Sequence, residues 1–135
     1  MKKALFIGGT GTISTAITKI VASEGEWELW LLNRCNRPEV IPEGVRTIVA
    51  DINDEADVAS KLEGTSWDCV CDFIGFVPAQ VERDWRLFHD KTRQYMYISS
   101  ASAYQKPATS PYCCFTQYTK ILTKFVSHSR KRISL

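Results

Sequence analysis

The sequence predicts an α/β fold, a doubly wound parallel sheet in the strand order 3-2-1-4-5 with helices on both faces. Three observations predict it. Short apolar runs recur along the chain, separated by stretches with helical spacing. The first run ends in glycines that open directly into such a stretch. Strands that alternate with helices are joined by right-handed crossovers, and that makes the sheet parallel.

Residues 3–7 form the first apolar run and stop at glycines, as suits a strand buried on both faces. Ile13, Ala16, Ile17, Ile20 and Val21 then recur at helical spacing through residue 23, and Gly25 supplies the stop. Residues 27–32 read as the second strand, 45–50 as the third, 69–74 as the fourth and 95–99 as the fifth. The helical stretch 54–62 begins with Asp54, which can cap it, and 79–88 follows Pro78, a residue favoured in a first turn. Beyond Tyr104 the pattern deteriorates. Residues 105–111 read as loop, 115–127 are weakly helical at best, and no strand follows the fifth. The expected division is a domain over 1–112 and a basic tail over 113–135.

A chain of 135 residues fits one domain, and 44% hydrophobic with 24% charged residues is ordinary for a soluble globular protein. No apolar run approaches the roughly 18–20 residues of a membrane span, so no membrane partner is expected and the chain reads as cytoplasmic. Met1-Lys2-Lys3 and the apolar residues after it start like a signal peptide, but Gly8-Gly9 ends the run before an apolar core develops. Cys35, Cys69, Cys71, Cys113 and Cys114 form no C-x-x-C pair, and a bridge between the adjacent Cys113 and Cys114 would be strained, so reduced thiols are expected. Cys69 and Cys71 alternate in an apolar stretch and read as small core residues on one strand face.

The net charge of +2 hides a split: residues 1–90 carry nine basic and fifteen acidic side chains, whereas 91–135 carry eight basic and none acidic. The basic end, Ser127 to Arg132, is short and lacks interleaved aromatics, so it reads as a solvated end and not as a nucleic-acid surface.

The chemistry sits at strand ends. Gly8-Gly9-Thr10-Gly11-Thr12-Ile13-Ser14 lies between the first strand and first helix, where a dinucleotide pyrophosphate would rest on backbone N–H groups and the positive end of the helix. Gly8, Thr10, Gly11, Thr12 and Ile13 are therefore candidate cofactor residues, because bare backbone at the glycines lets the chain turn and approach a phosphate. At the end of the second strand, a carboxylate would bind the adenosine ribose and repel a 2′-phosphate. Asn33-Arg34 stands there instead, and Arg34 with Arg37 could clamp that phosphate, so the residue types favour NADP, with NAD as the alternative. As bare residues, the same arginines also suit a solvated loop.

The spacing Gly8-x-x-Gly11-x-x-Ser14 after a strand resembles the short-chain dehydrogenase/reductase superfamily, and more narrowly its extended or atypical branch, the NAD-dependent epimerase/dehydratase family. The usual motif ends in Gly, so Ser14 is expected to crowd helix–strand packing slightly, and Cys35 stands where a Gly commonly follows Asn-Arg. The resemblance implies a Rossmann-type fold with Asp51-Ile52 against the adenine. It also implies that the loop Phe73-Ile74-Gly75-Phe76 runs beneath the cofactor, with Phe73 and Gly75 as contacts, although as bare residues Phe73 and Phe76 suit packing. Ser99 to Tyr104 resembles the family's serine-rich active-site segment, which implies a cofactor contact at Ser99 and places Ser100 where the substrate carbonyl is hydrogen-bonded.

The family's Tyr-x-x-x-Lys pair, a general acid/base with a Lys that lowers its pKa, is absent from this sequence. The resemblance covers about residues 1–112 and ends there, a pattern that a frameshift or premature stop would produce. It implies the NAD(P)-binding part of an oxidoreductase that acts, in full-length form, on a sugar nucleotide or small carbonyl substrate. Two other readings stay open: a non-catalytic dinucleotide-binding module that regulates a partner, and a truncated product without activity. The sequence leaves oligomeric state undetermined.

Overall fold

The computed structural model describes residues 1–98. Over them the chain runs through β1 (Lys2–Ile7), α1 (Thr12–Glu24), β2 (Trp27–Asn33), β3 (Arg46–Val49), α2 (Glu55–Lys61), β4 (Trp67–Asp72), α3 (Pro78–Phe88) and β5 (Thr92–Tyr97), with a short 3-10 turn at Pro38–Val40. All neighbouring strands are parallel, and their order is β3-β2-β1-β4-β5, as the sequence predicts. Ser99, Ser100, Tyr104 and the basic tail lie outside the described residues.

The central strand explains the two-sided core. Along β1 successive side chains alternate between faces. Leu5 and Ile7 join Val58 of α2 and Leu87 and Phe88 of α3, while Ala4 and Phe6 join Ile17 and Val21 of α1 on the other face. Residue pairs Ile7–Leu32 and Ile7–Asp72 bring the three central strands to a common carboxyl edge. Asp54 caps α2 by accepting the Asp57 N–H at 3.1 Å, Pro78 opens α3, and Gly25 ends α1 at φ 67°, each in its expected place.

The structure corrects three expectations. The fourth and fifth strands begin earlier than their apolar runs. Asp68 conceals the start of β4, because its carboxylate bonds to both neighbouring strands, accepting the Lys3 N–H at 2.9 Å and pairing with Arg93. Thr92, Arg93 and Gln94 conceal the start of β5, which is the outermost strand among the described residues and half exposed, and so needs no apolar run. The ladder stops at Asp72, short of residue 74, because the Asp72 carboxylate captures the N–H groups of Ile74 and Gly75 at 2.8 and 3.0 Å.

The third correction concerns α1. Ile13 and Ile20 are 67% and 57% exposed, Ala16 is exposed as well, and the inward stripe is the buried Ser14 and Thr18 with the half-buried Ile17 and Val21. The two hydroxyls rotate the helix onto the glycine loop: Ser14 Oγ donates to the Gly8 carbonyl at 2.8 Å and Thr18 Oγ1 to the Gly9 carbonyl at 3.0 Å. Ser14 therefore satisfies the turn where crowding was expected.

Candidate functional site

The site forms at the carboxyl edge of the sheet, where β1 gives way to α1 and the strand order reverses direction, the usual crevice of an open α/β sheet. Gly8 continues the β1–β2 ladder by donating its N–H to the Leu32 carbonyl at 3.1 Å, then turns at φ 79°. A side chain is excluded there twice, by that backbone conformation and by Ile74 Cγ2, against which a Cβ would collide. The turn closes with Thr10 N–H on the Gly8 carbonyl at 2.8 Å and Gly11 N–H on Ser14 Oγ at 2.8 Å. Thr12 and Ile13 open α1, and N–H groups in a first helical turn have no intrahelical acceptor, so they face outward with the positive end of the helix dipole.

The end of β2 supplies the second wall. The Asn33 carbonyl accepts the Ala50 N–H at 2.9 Å, and its side-chain Oδ1 accepts the Cys35 N–H at 2.8 Å. That bond holds Cys35 at φ 54°, a left-handed conformation that glycine takes freely. A Gly at this position would hold the same conformation without strain. Arg34 and Arg37 are exposed on the same loop, and Arg37 spans to the Thr10 carbonyl at 3.5 Å and to Glu39 at 3.7 Å.

The third wall follows β3. Asp51 Oδ1 accepts both the backbone N–H and the side-chain Nδ2 of Asn53, at 2.9 and 3.0 Å, and Ile52 is buried in the core. Together the walls enclose a cavity of about 370 Å³ lined by Gly8, Thr10, Gly11, Asn33, Arg34, Asp51, Ile52 and their neighbours, including Arg37, Asn53 and Ile74.

A buried polar network supports these walls from behind. Tyr95 OH donates between two fully buried carboxylates, Asp84 at 2.8 Å and Asp72 at 3.2 Å. Arg83, also buried, places Nε 2.9 Å from Asp84 Oδ1 and Nη1 2.9 Å from Asn53 Oδ1. Burial first, and the neighbouring Asp72 carboxylate second, push the Asp84 carboxyl up to about 7, while Arg83 and the Tyr95 hydroxyl pull it down. Tyr95 is itself pushed far up by burial and by the same two carboxylates, so it remains a neutral donor. Cys69 and Cys71 are buried free thiols, and burial pushes Cys71 up to about 12.

Seven sequence-named residues, Gly8, Thr10, Gly11, Asn33, Arg34, Asp51 and Ile52, thus share one cavity. Thr12 and Ile13 stand beside it in the first turn of α1. Phe73 packs edge-on against Phe6 at 5.2 Å, and its neighbour Ile74 lines the cavity. Gly75 lies against the Asp72 carboxylate and the Tyr97 ring, where a Cβ would not fit. Asn53 and the Arg83–Asp84 pair escaped sequence reasoning, although Asp84 falls on the stripe Val81, Asp84, Trp85, Phe88, whose spacing marks a buried face.

A parallel sheet in this order, with a glycine turn after its first strand, defines a Rossmann-type fold of the kind that binds dinucleotides. No protein-family model and no curated protein matches the chain. Solved structures do. The Bordetella bronchiseptica enzyme WbmG, solved with NAD and with NAD and UDP, is 16% identical in the NAD complex, with a TM-score of 0.68 over 96% of this chain and 49% of its own. A UDP-galactose 4-epimerase is 16% identical, with a TM-score of 0.66 over 91% of this chain and 48% of its own. A Rossmann-fold NAD(P)-binding protein from Shigella flexneri is 15% identical, with a TM-score of 0.66 over 96% of this chain and 63% of its own. The chain shares their fold and spans about half the length of WbmG and of the UDP-galactose 4-epimerase. Among the described residues no helix is long and apolar enough to cross a membrane.

Proposed function

We propose that this chain is the NAD(P)-binding part of an epimerase/dehydratase-like oxidoreductase of the cytoplasm, that it prefers NADP, and that the whole enzyme acts on a sugar nucleotide or small carbonyl compound. The observation that carries the reading is the continuity of one cavity from the Gly8–Gly11 turn to Arg34 and on to Asp51, the path a dinucleotide takes from pyrophosphate through adenosine ribose to base. The residues fit such a ligand. Gly8 and Gly11 bring backbone and no side chain of their own to the cavity, the opening turn of α1 offers N–H donors, and Asp51 offers an acceptor. A nicotinamide dinucleotide, when bound, supplies hydride chemistry. This chain's part is to hold it.

The preference for NADP rests on Arg34 and Arg37, two exposed cations beside Asn33 at the position where an NAD-binding carboxylate would stand. The WbmG neighbour was solved with NAD, so the two cofactors must be compared directly. Calorimetric titration with NADPH and NADH tests the reading: tighter NADPH binding that Arg34→Ala abolishes is the expected result. Equal affinities would remove the NADP preference, and no binding of either to folded protein would overturn the proposal.

A second reading, a dinucleotide-binding module without turnover, draws on the absence of Tyr-x-x-x-Lys from these 135 residues. It predicts cofactor binding with no consumption of NADPH when carbonyl substrates are added.

A further inference from the structure

We infer that Arg83, on the far side of the cavity wall, is a positioning residue for recognition of the base: it holds Asn53, Asn53 holds Asp51, and the remaining Asp51 oxygen accepts a hydrogen bond from the 6-amino group of adenine. The inference rests on the reading of the cavity as a dinucleotide site and adds to it the device that orients its base-reading group.

The geometry is a relay with one polarity. Arg83 is only 5% exposed, and its guanidinium can only donate. Nε is committed to Asp84 at 2.9 Å, and the rigid fork then directs Nη1 at Asn53 Oδ1, also at 2.9 Å. Because a donor fixes Oδ1, the Asn53 amide has one orientation, with Nδ2 turned to Asp51 Oδ1 at 3.0 Å. The Asn53 backbone N–H approaches the same oxygen at 2.9 Å. Both bonds therefore fall on Oδ1. Oδ2 has no partner among the described residues, and Asp51 lines the cavity. An acceptor held in this way pairs with a donor on the ligand, and adenine presents its exocyclic amine where hypoxanthine presents a carbonyl.

Asp84 alone would satisfy an ion pair, whereas the bond to Asn53 links α3 to the loop after β3 across thirty residues of sequence. A relay of this kind fixes an angle without touching the ligand.

The test uses the full chain and calorimetric titration with two probes, NADPH and its hypoxanthine analogue, which has a 6-oxo group in place of the amine. The unaltered protein is expected to prefer NADPH by about three- to tenfold, the worth of one hydrogen bond. Asn53→Ala, a change at an exposed side chain of the cavity wall, and Arg83→Lys, which keeps the charge beside Asp84 and loses the fork, should each bring that ratio towards one, the loss falling on NADPH far more than on the analogue. A merely structural role would weaken both probes together. Should Arg83→Lys fail to fold, the neutral double variant Arg83→Gln/Asp84→Asn takes its place. Preserved discrimination in the variants, or none in the unaltered protein, overturns the relay. Failure to bind either probe overturns the dinucleotide reading itself.

Discussion

The Ser14 hydroxyl donates a 2.8 Å hydrogen bond to the Gly8 carbonyl across the first turn of α1. The same oxygen accepts the Gly11 N–H at 2.8 Å, so a single buried atom closes the glycine loop at both ends. Ser14→Ala should remove both bonds, leaving the Gly8 carbonyl with the Thr10 N–H and the Gly11 N–H with only a long 3.4 Å approach to that carbonyl, and cost about 1–2 kcal/mol of stability. Ser14→Gly, which places a third glycine in the turn motif, should cost about 1 kcal/mol more through backbone entropy. Urea unfolding checks the order, and equal midpoints for all three proteins would show that the bonds contribute nothing.

Gly8 makes the opposite demand, because there any side chain is unwelcome. Gly8→Ala takes a residue at φ 79° and adds a Cβ that collides with Ile74 Cγ2. Left-handed backbone costs about 1–2 kcal/mol and overpacking about 1–3 kcal/mol, so a marginal domain should lose much of its stability. Only the steric part involves Ile74. In a double-mutant cycle, Gly8→Ala with Ile74→Ala should therefore be at least about 1 kcal/mol more stable than the two single effects predict. Simple additivity would place the whole effect in the backbone.

Much of this organisation is legible in the sequence, and the exceptions share a cause. Strands β1 and β2 and the glycine turn are apolar or bare where they must be, so periodicity finds them. Strand β5 opens with the polar residues Thr92, Arg93 and Gln94, and periodicity misses its start. Helix α1 buries Ser14 and Thr18 in preference to Ile13 and Ile20, because hydrogen bonds to the glycine loop outweigh apolar area in setting its rotation. The cavity's strand-end residues were legible because topology alone brings those ends together. The Arg83–Asn53 bond was not, since it depends on side chains from distant segments meeting behind the wall.

Cys35 offers a stabilising change. It holds φ 54°, which costs a residue with a Cβ about 1–2 kcal/mol, whereas glycine's own entropic cost is about 0.5–1 kcal/mol. Cys35→Gly should therefore gain up to about 1 kcal/mol, and Cys35→Val, β-branched, should lose stability. Thermal unfolding of the two variants checks this. A lower midpoint for Cys35→Gly would mean that the thiol makes contacts worth more than the strain.

Asp84 sets the pH dependence. Its carboxyl titrates at about 7 in the folded chain, against an ordinary value of about 3.9 when the chain is unfolded. Below about 4 the group is protonated in both states and contributes no difference. As pH rises from about 4 towards 7, the unfolded state ionises first, and folding stability falls by up to about 1.4 kcal/mol per pH unit. Above about 7 both states are ionised and the loss stops growing. Glu55, held down by its bond with Arg86, and Asp68, held down by the Lys3 N–H, act oppositely, with stability lost only as pH falls through their lowered values. Their window therefore lies below the ordinary carboxylate range and does not overlap the slope from Asp84. Urea midpoints at pH 5, 6, 7 and 8 should fall and then level off. In Asp84→Asn, which keeps an acceptor for Tyr95 and Arg83 but no titrating group, they should stay flat. An undiminished slope in that variant would assign the pH dependence to another group.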